Sequence, residues 1–395
     1  MKFSERVINL PPSPIRKLRP FAEHAKNEGK KVYHLNIGQP DIKTPPEMFQ
    51  AIRSLNLPIL EYGPSEGLDS YRKALPRYYQ RYGMDVKPED ILITTAGSEA
   101  IFMALFALCN PGDEVIIPEP YYTNYNGFAQ MAGVKIIPIT CRIEDGFLLP
   151  PVSAFEGVIT PRTRAIMICN PNNPTGALYS REALKELTSL VKRKGIFLIA
   201  DEVYREFVYD GKKHTSLFHF PEVQEQTLVI DSISKRYSAC GARIGAILTK
   251  NHELLKQILK LAQARLCPPT LEQLAAEAVI DLKEQYFQEV LEEYQHRRDI
   301  LFKRLSSIKG VLCSKPAGAF YTVARLPIKD AEDFAVFLLR DFSYQGETVM
   351  LAPAEGFYAT PGSGKDQVRI AYVLKAEDLE RSMDILAEAL KVYKG

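Results

Sequence analysis

The sequence predicts an α/β protein: a large, mostly parallel, doubly wound sheet domain joined to a smaller α+β domain. Three observations support this. From residue 90 to about 250, short apolar runs alternate with stretches of helical periodicity, the order expected of strand–helix–strand units. The runs stay apolar for most of their length, as they do when both faces of a sheet are covered. After a long helical tract, the last part of the chain returns to short strands interleaved with helices.

Residues 1–30 read as an arm followed by a helix. Pro11, Pro12 and Pro14 keep the first part extended, and an amphipathic stretch runs from about Ile15 to Lys26. KVYHLNIGQPD, residues 31–41, reads as a short strand ending in a turn that carries Gly and Pro. Pro45 and Pro46 open a helix to about Leu55; the polar loop EYGPSEGLDS and a helix over 70–82 follow. ILITTAG, DEVIIPEP, VKIIPIT, TRAIMICN, GIFLIADEVY, TLVIDSISK and ARIGAILTK are the strands of the large sheet. SEAIFMALFALCN, YYTNYNGFAQMAG and residues 180–194 are helices between them. Residues 251–308 are helical with a break near Cys267-Pro268-Pro269. AGAFYTVARL, TVMLAPA and QVRIAYV read as strands, and 330–341 and 376–392 as helices. The expected division is an N-terminal segment 1–49 that partly joins the small domain, a large domain 50–300 and a small domain 301–395.

Composition narrows the function. The 395 residues are 46% hydrophobic and 25% charged, ordinary globular usage with ample length for a core, which argues against disorder or a disulfide-stapled miniature fold. With 50 Lys and Arg against 48 Asp and Glu, nothing requires a nucleic acid or an anionic membrane as partner. The six cysteines show no CxxC and read as reduced, buried thiols; the six histidines show no paired-ligand spacing, so no metal is expected. The N-terminal stretch lacks the apolar core of a signal peptide and no apolar run reaches membrane-spanning length. No membrane is expected, and the cytoplasm is the expected location.

Four segments carry candidate chemistry. In DSISKRYSACGARIGAI, an apolar strand delivers Ser232, Ser234 and Lys235 into a loop, and Arg243 lies in a glycine-bracketed GxRxG. A partly desolvated lysine at a strand end can form a Schiff base, and hydroxyls with an arginine suit a phosphate. Taken alone, Lys235 also reads as a surface lysine. ICNPNNPTG places Asn173 after a strand, at the sheet edge where α/β folds hold ligands, although such loops are common. IADEVY ends an apolar strand on Asp201, a costly burial unless paired, with Tyr204 beyond it; a helix cap is the plain alternative. TTAGSEAIFMAL brings Gly97, Ser98 and Glu99 to a helix start, whose free N–H groups suit an anion. Tyr62 and Tyr122 are loop aromatics beside glycine or proline, and Arg369 lies in VRIAYV, where it points outward or meets a ligand carboxylate.

From LNIGQPD to VRIAYV, the order and spacing of Asn173, Asp201, Lys235 and Arg243 resemble the fold-type I pyridoxal-phosphate enzymes. The match is to the class I/II aminotransferases, nearest the aspartate aminotransferase branch. The resemblance implies pyridoxal 5'-phosphate as cofactor and a ping-pong transfer of an amino group from an L-amino acid to a 2-oxo acid, L-aspartate and 2-oxoglutarate first. Lys235 would hold the cofactor as an internal aldimine and act as base and acid. Asp201 would pair with the pyridinium nitrogen, Asn173 and Tyr204 would bond the ring oxygen, and Tyr122 would stack on the ring. Gly97, Ser98, Glu99, Ser232, Ser234 and Arg243 would form the phosphate site. Tyr62 would reach the phosphate of a neighbouring subunit, implying a homodimer with shared sites. Arg369 would clamp the substrate α-carboxylate, with Gly38 beside it. Arg16, Lys17 and Arg265 read as solvated charges more readily than as readers of a distal carboxylate. Alanine, aromatic or broad-specificity transamination, a β-lyase, and a silent regulatory protein on the same scaffold are the alternatives.

Overall fold

The computed structural model describes residues 2–10 and 13–395; Pro11 and Pro12, read above as part of an extended arm, lie outside them. Two features of the N-terminal segment differ from expectation. A short helix, Glu5–Ile8, buries no residue, and the amphipathic helix begins at Arg19 rather than near Ile15, running to Asn27. Pro20 explains the later start, because its fixed φ and missing N–H suit the first helical turn.

In chain order the strands are β1 (Lys31–His34), β2 (Ile91–Thr94), β3 (Glu114–Glu119), β4 (Lys135–Thr140), β5 (Thr163–Cys169), β6 (Phe197–Asp201) and β7 (Thr227–Ser232). They continue as β8 (Gly245–Leu248), β9 (Leu312–Cys313), β10 (Tyr321–Arg325), β11 (Glu347–Met350), β12 (Ala352–Pro353) and β13 (Gln367–Ala371). The large sheet has seven strands in the order β2-β8-β7-β6-β5-β3-β4. Every pairing is parallel except those of β8, which runs antiparallel to β7 and β2. The connection from β7 to β8 carries only a one-turn helix, Ile233–Arg236, and turns straight back. That return loop holds both Lys235 and Arg243.

Alternate side chains of each strand feed opposite cores, as the period of two requires. Ile91, Ile93, Leu198, Ala200 and Val229 pack on one face, and Leu92, Ile199, Leu228 and Ile230 on the other. Helix Ala96–Leu108 covers the second face with Ala100, Ile101 and Ala104, and helix Arg181–Lys194 covers the first with Leu184, Leu187 and Val191.

The remaining strands form an antiparallel sheet, β12-β13-β10-β9, and a parallel pair, β1 with β11. TVMLAPA is thus two strands rather than one, because its halves pair with different partners on either side of Leu351. The helical tract breaks twice, into His252–Arg265, Thr270–Glu277 and Glu284–Ser307. The last of these bridges two cores, with Phe287 in the large one and Val290, Tyr294, Leu301 and Leu305 in the second. The first strand of the chain also enters that second core, through Tyr33 and, just beyond it, Leu35.

Candidate active site

Topology brings the candidate residues to one sheet edge. β5, β6 and β7 run parallel and end at Cys169, Asp201 and Ser232; β2 ends just before Ala96, and antiparallel β8 begins there at Gly245. This is where open α/β sheets present ligand sites. Here a cavity of about 670 Å³ is lined by Gly38, Gly97, Ser98, Tyr122, Asn173, Asp201, Tyr204, Ser232, Ser234, Lys235, Arg243 and Arg369. Tyr321, Cys240 and Arg16 also line it.

Asp201 faces the helix Asn124–Ala132, where the Tyr125 hydroxyl donates to its Oδ2 at 2.7 Å. The carboxylate is 4% exposed, and burial pushes its pKa up to about 6 against the opposing Tyr125 hydrogen bond. It enters no ion pair with a cationic side chain among the described residues, although Lys235 contributes a weak favourable field. Asp231, on the neighbouring strand, points to the opposite sheet face and has the reverse fate. Burial alone would raise it, but the Arg205 and Arg236 guanidinia outweigh burial and hold it at about 2.

The loop after β7 is locally determined. The Ser232 hydroxyl caps the one-turn helix, accepting from the Ser234 N–H at 3.2 Å, and donates to Ile244 O at 3.0 Å. Lys235 follows, with Nζ donating to Gly38 O at 3.0 Å and 3.8 Å from Cys240 Sγ. Ala96 and Arg243, both in the cavity wall, have left-handed backbones at φ 64° and 57°. Non-glycine residues held so are costly and gather at functional sites. Gly245 lets the strand meet this turn: a Cβ there would lie 2.4 Å from Ala96 C.

Arg369 is 2% exposed. Its Nη1 donates to Asn173 Oδ1 at 3.1 Å and its Nη2 to Asn36 O, while Nε has no partner among the described residues. Burial lowers its pKa, offset in part by Tyr321, Tyr204 and Tyr122, and a guanidinium remains charged there. No carboxylate side chain is paired with it among the described residues, so it suits an incoming anion. Asn173 Nδ2 donates to the Tyr204 hydroxyl at 3.2 Å, which lies 3.1 Å from the Tyr321 hydroxyl. Tyr122 stands edge-on to Tyr125 at 5.6 Å.

Several residues lie elsewhere or escaped the sequence reading. Glu99 is outside the cavity wall; it accepts from Thr95 N at 2.6 Å and pairs with Arg265, 3.3 Å away, so both side chains brace the helix start. Tyr62 is 80% exposed and does not line the cavity of its own chain. Lys17 pairs with Glu332. Cys109, Cys141 and Cys169 are buried as expected, but Cys240, Cys267 and Cys313 are only half-buried. Tyr125 and Tyr321 had no local signal, because each acquires its polar contacts from residues remote in sequence. Arg16 is exposed, as a solvated charge is, and it also lies in the cavity wall.

A model of the family described as aminotransferase class I and II matches residues 30–386. The aspartate aminotransferase of Geobacillus stearothermophilus is 30% identical, over 97% of this chain and 98% of its own length. The aromatic-amino-acid aminotransferase 2 of Thermococcus litoralis is 31% identical over 100% of both chains. Among solved structures, alanine aminotransferase from Pyrococcus furiosus matches with a TM-score of 0.89 at 32% identity, covering 99% of this chain and 100% of that one. The chain therefore belongs to the class I and II aminotransferases, pyridoxal-phosphate enzymes of fold-type I.

Proposed function

We propose that this aminotransferase moves the amino group of L-aspartate to 2-oxoglutarate in a ping-pong cycle, with Lys235 as its central catalytic group. The supporting observation is the convergence in one cavity of an amine, Lys235, a buried carboxylate with no ion-pair partner among the described residues, Asp201, and a buried guanidinium, Arg369. The residues fit pyridoxal phosphate: Asp201 would meet a ring N–H, and Ser98, Ser232, Ser234 and Arg243 would meet the phosphate. When bound, the cofactor supplies an electron sink that makes the substrate Cα–H acidic.

The chain's own residues do the rest. Arg369 holds the α-carboxylate by two parallel N–H donors, which orients Cα toward Lys235. Lys235 Nζ takes the proton from Cα and returns one in the second half-reaction. Asn173 positions both Arg369 and the Tyr204 hydroxyl, and with Tyr204 it would hold the cofactor's ring oxygen. Tyr122, partly buried in the wall, would pack against the cofactor ring. Glu99 contributes by bracing the helix start rather than by contact. A homodimer with shared sites belongs to this reading: Leu57, Ile59, Leu60 and Tyr62 form an exposed apolar run.

Two observations support the aspartate assignment: the cavity's charged wall is cationic apart from Asp201, and relatives bear that name. The aromatic and alanine aminotransferase relatives favour a second reading, transfer from a monocarboxylic amino acid. Single-turnover spectroscopy of the loaded protein against a panel of L-amino acids separates them. Rapid conversion by aspartate or glutamate with oxo acid release is expected. Conversion by alanine or aromatic amino acids alone would discard the aspartate assignment, and β-elimination without a half-reaction would discard transamination.

A further inference from the structure

We propose that Arg16 reads a second, distal acidic group on the substrate, so that this chain selects dicarboxylic amino acids with a residue of its own N-terminal segment. The inference deepens the proposed function and rests on it.

The argument begins with charge. The ionic side chains in the cavity wall are Arg16, Lys235, Arg243 and Arg369 against Asp201. In the proposed reaction Lys235 carries the cofactor, Arg243 meets its phosphate, Arg369 the α-carboxylate and Asp201 the ring nitrogen. Arg16 is then the one wall cation with no anion assigned to it. Its neighbour Lys17 is committed to Glu332, whereas Arg16 has no carboxylate partner among the described residues.

The backbone around it is held in place. Asn36 Nδ2 donates to Ile15 O at 3.0 Å, Ile15 packs on the Ala352–Tyr358 cluster, and Leu18 is buried against Leu339 and Met350. Pro14 sits so close to Gly356 that a Cβ there would lie 2.6 Å from the proline ring. Asn36 also gives its carbonyl to Arg369. One residue therefore fixes the segment bearing Arg16 and the guanidinium that takes the α-carboxylate. Burial pushes the Tyr122 hydroxyl in the cavity wall up to about 12, opposed by Arg369 and, more weakly, by Arg16. A substrate gripped at one end by Arg369 thus has a cation waiting on a wall pinned to the same asparagine. Arg16 is exposed, so water competes for it and its effect is one of selection.

The test uses the cofactor-loaded full chain with Arg16→Gln and Arg16→Lys. Arg16→Gln should lower the ratio of kcat/KM for L-aspartate to that for L-alanine by about 2- to 5-fold, mainly through KM, and Arg16→Lys should recover part of it. Calorimetry supplies a readout without turnover: succinate should bind Arg16→Gln more weakly than the parent, while the affinity for propionate changes far less. Equal melting temperatures would show the variants folded. A parent that favours aspartate, with an unchanged ratio and unchanged succinate affinity in Arg16→Gln, overturns the role of Arg16 and leaves the aspartate assignment standing. A parent that transaminates alanine but neither uses aspartate nor binds succinate removes the dicarboxylate reading, and Arg16 with it.

Discussion

Asp201 shows what the site demands of a single residue. Its carboxylate is buried with one hydroxyl donor, and its pKa of about 6 lies above the ordinary value of 3.8. A carboxyl raised on folding binds its proton more tightly in the folded state, so stability falls as pH rises from about 4 to about 6 and the penalty is complete above that. In cofactor-free protein, Asp201→Asn is therefore expected to raise stability at pH 8 by about 3 kcal/mol and to change it little at pH 4. Denaturant unfolding at the two pH values checks this. The same variant should lose at least about 100-fold in kcat once loaded, because an amide cannot balance a charged ring nitrogen. Higher stability with lower activity is the signature of a group placed for function. At this scale the sequence was informative where chemistry is local. A carboxylate closing an apolar strand and a lysine closing another stand out in IADEVY and DSISK. Tyr125 and Tyr321 do not stand out, because their partners, Asp201 and Tyr204, come from other elements.

At the scale of elements, the site depends on close approaches between loops. Gly38 is the tightest: a Cβ there would lie 1.8 Å from the Tyr321 hydroxyl, and the Gly38 carbonyl accepts from Lys235. Tyr321 is 2% exposed and tied to Tyr204, so it has little room to yield. Gly38→Ala should destabilise the protein by about 1–3 kcal/mol and raise KM for every amino-acid substrate, as thermal melts and steady-state kinetics would show. Strand and helix existence was largely readable from apolar periodicity, since β2, β3, β7 and β8 are buried along their whole length. Boundaries set by tertiary pairing were not. The split of TVMLAPA at Leu351 follows from two different partner strands, and the helix start at Arg19 was masked by apolar residues that continue the pattern upstream.

On the scale of the whole molecule, the chain is arranged so that distant segments meet at one sheet edge. The N-terminal segment brings Arg16 and Gly38, the large sheet brings Asn173, Asp201 and Lys235, and the second sheet brings Tyr321 and Arg369. No local pattern announces that meeting; the order of the motifs along the chain does, through resemblance to a family with this topology. Arg16 shows the limit of that route, because its place in the cavity depends on how Asn36 and Gly356 seat the segment around it. The catalytic reading depends on one amine, Lys235. Reducing the loaded protein with borohydride and mapping the modified peptide by mass spectrometry tests it most directly. The pyridoxyl group is expected on Lys235, in the peptide that joins β7 to β8; attachment to another lysine with Lys235 unmodified would contradict the assignment.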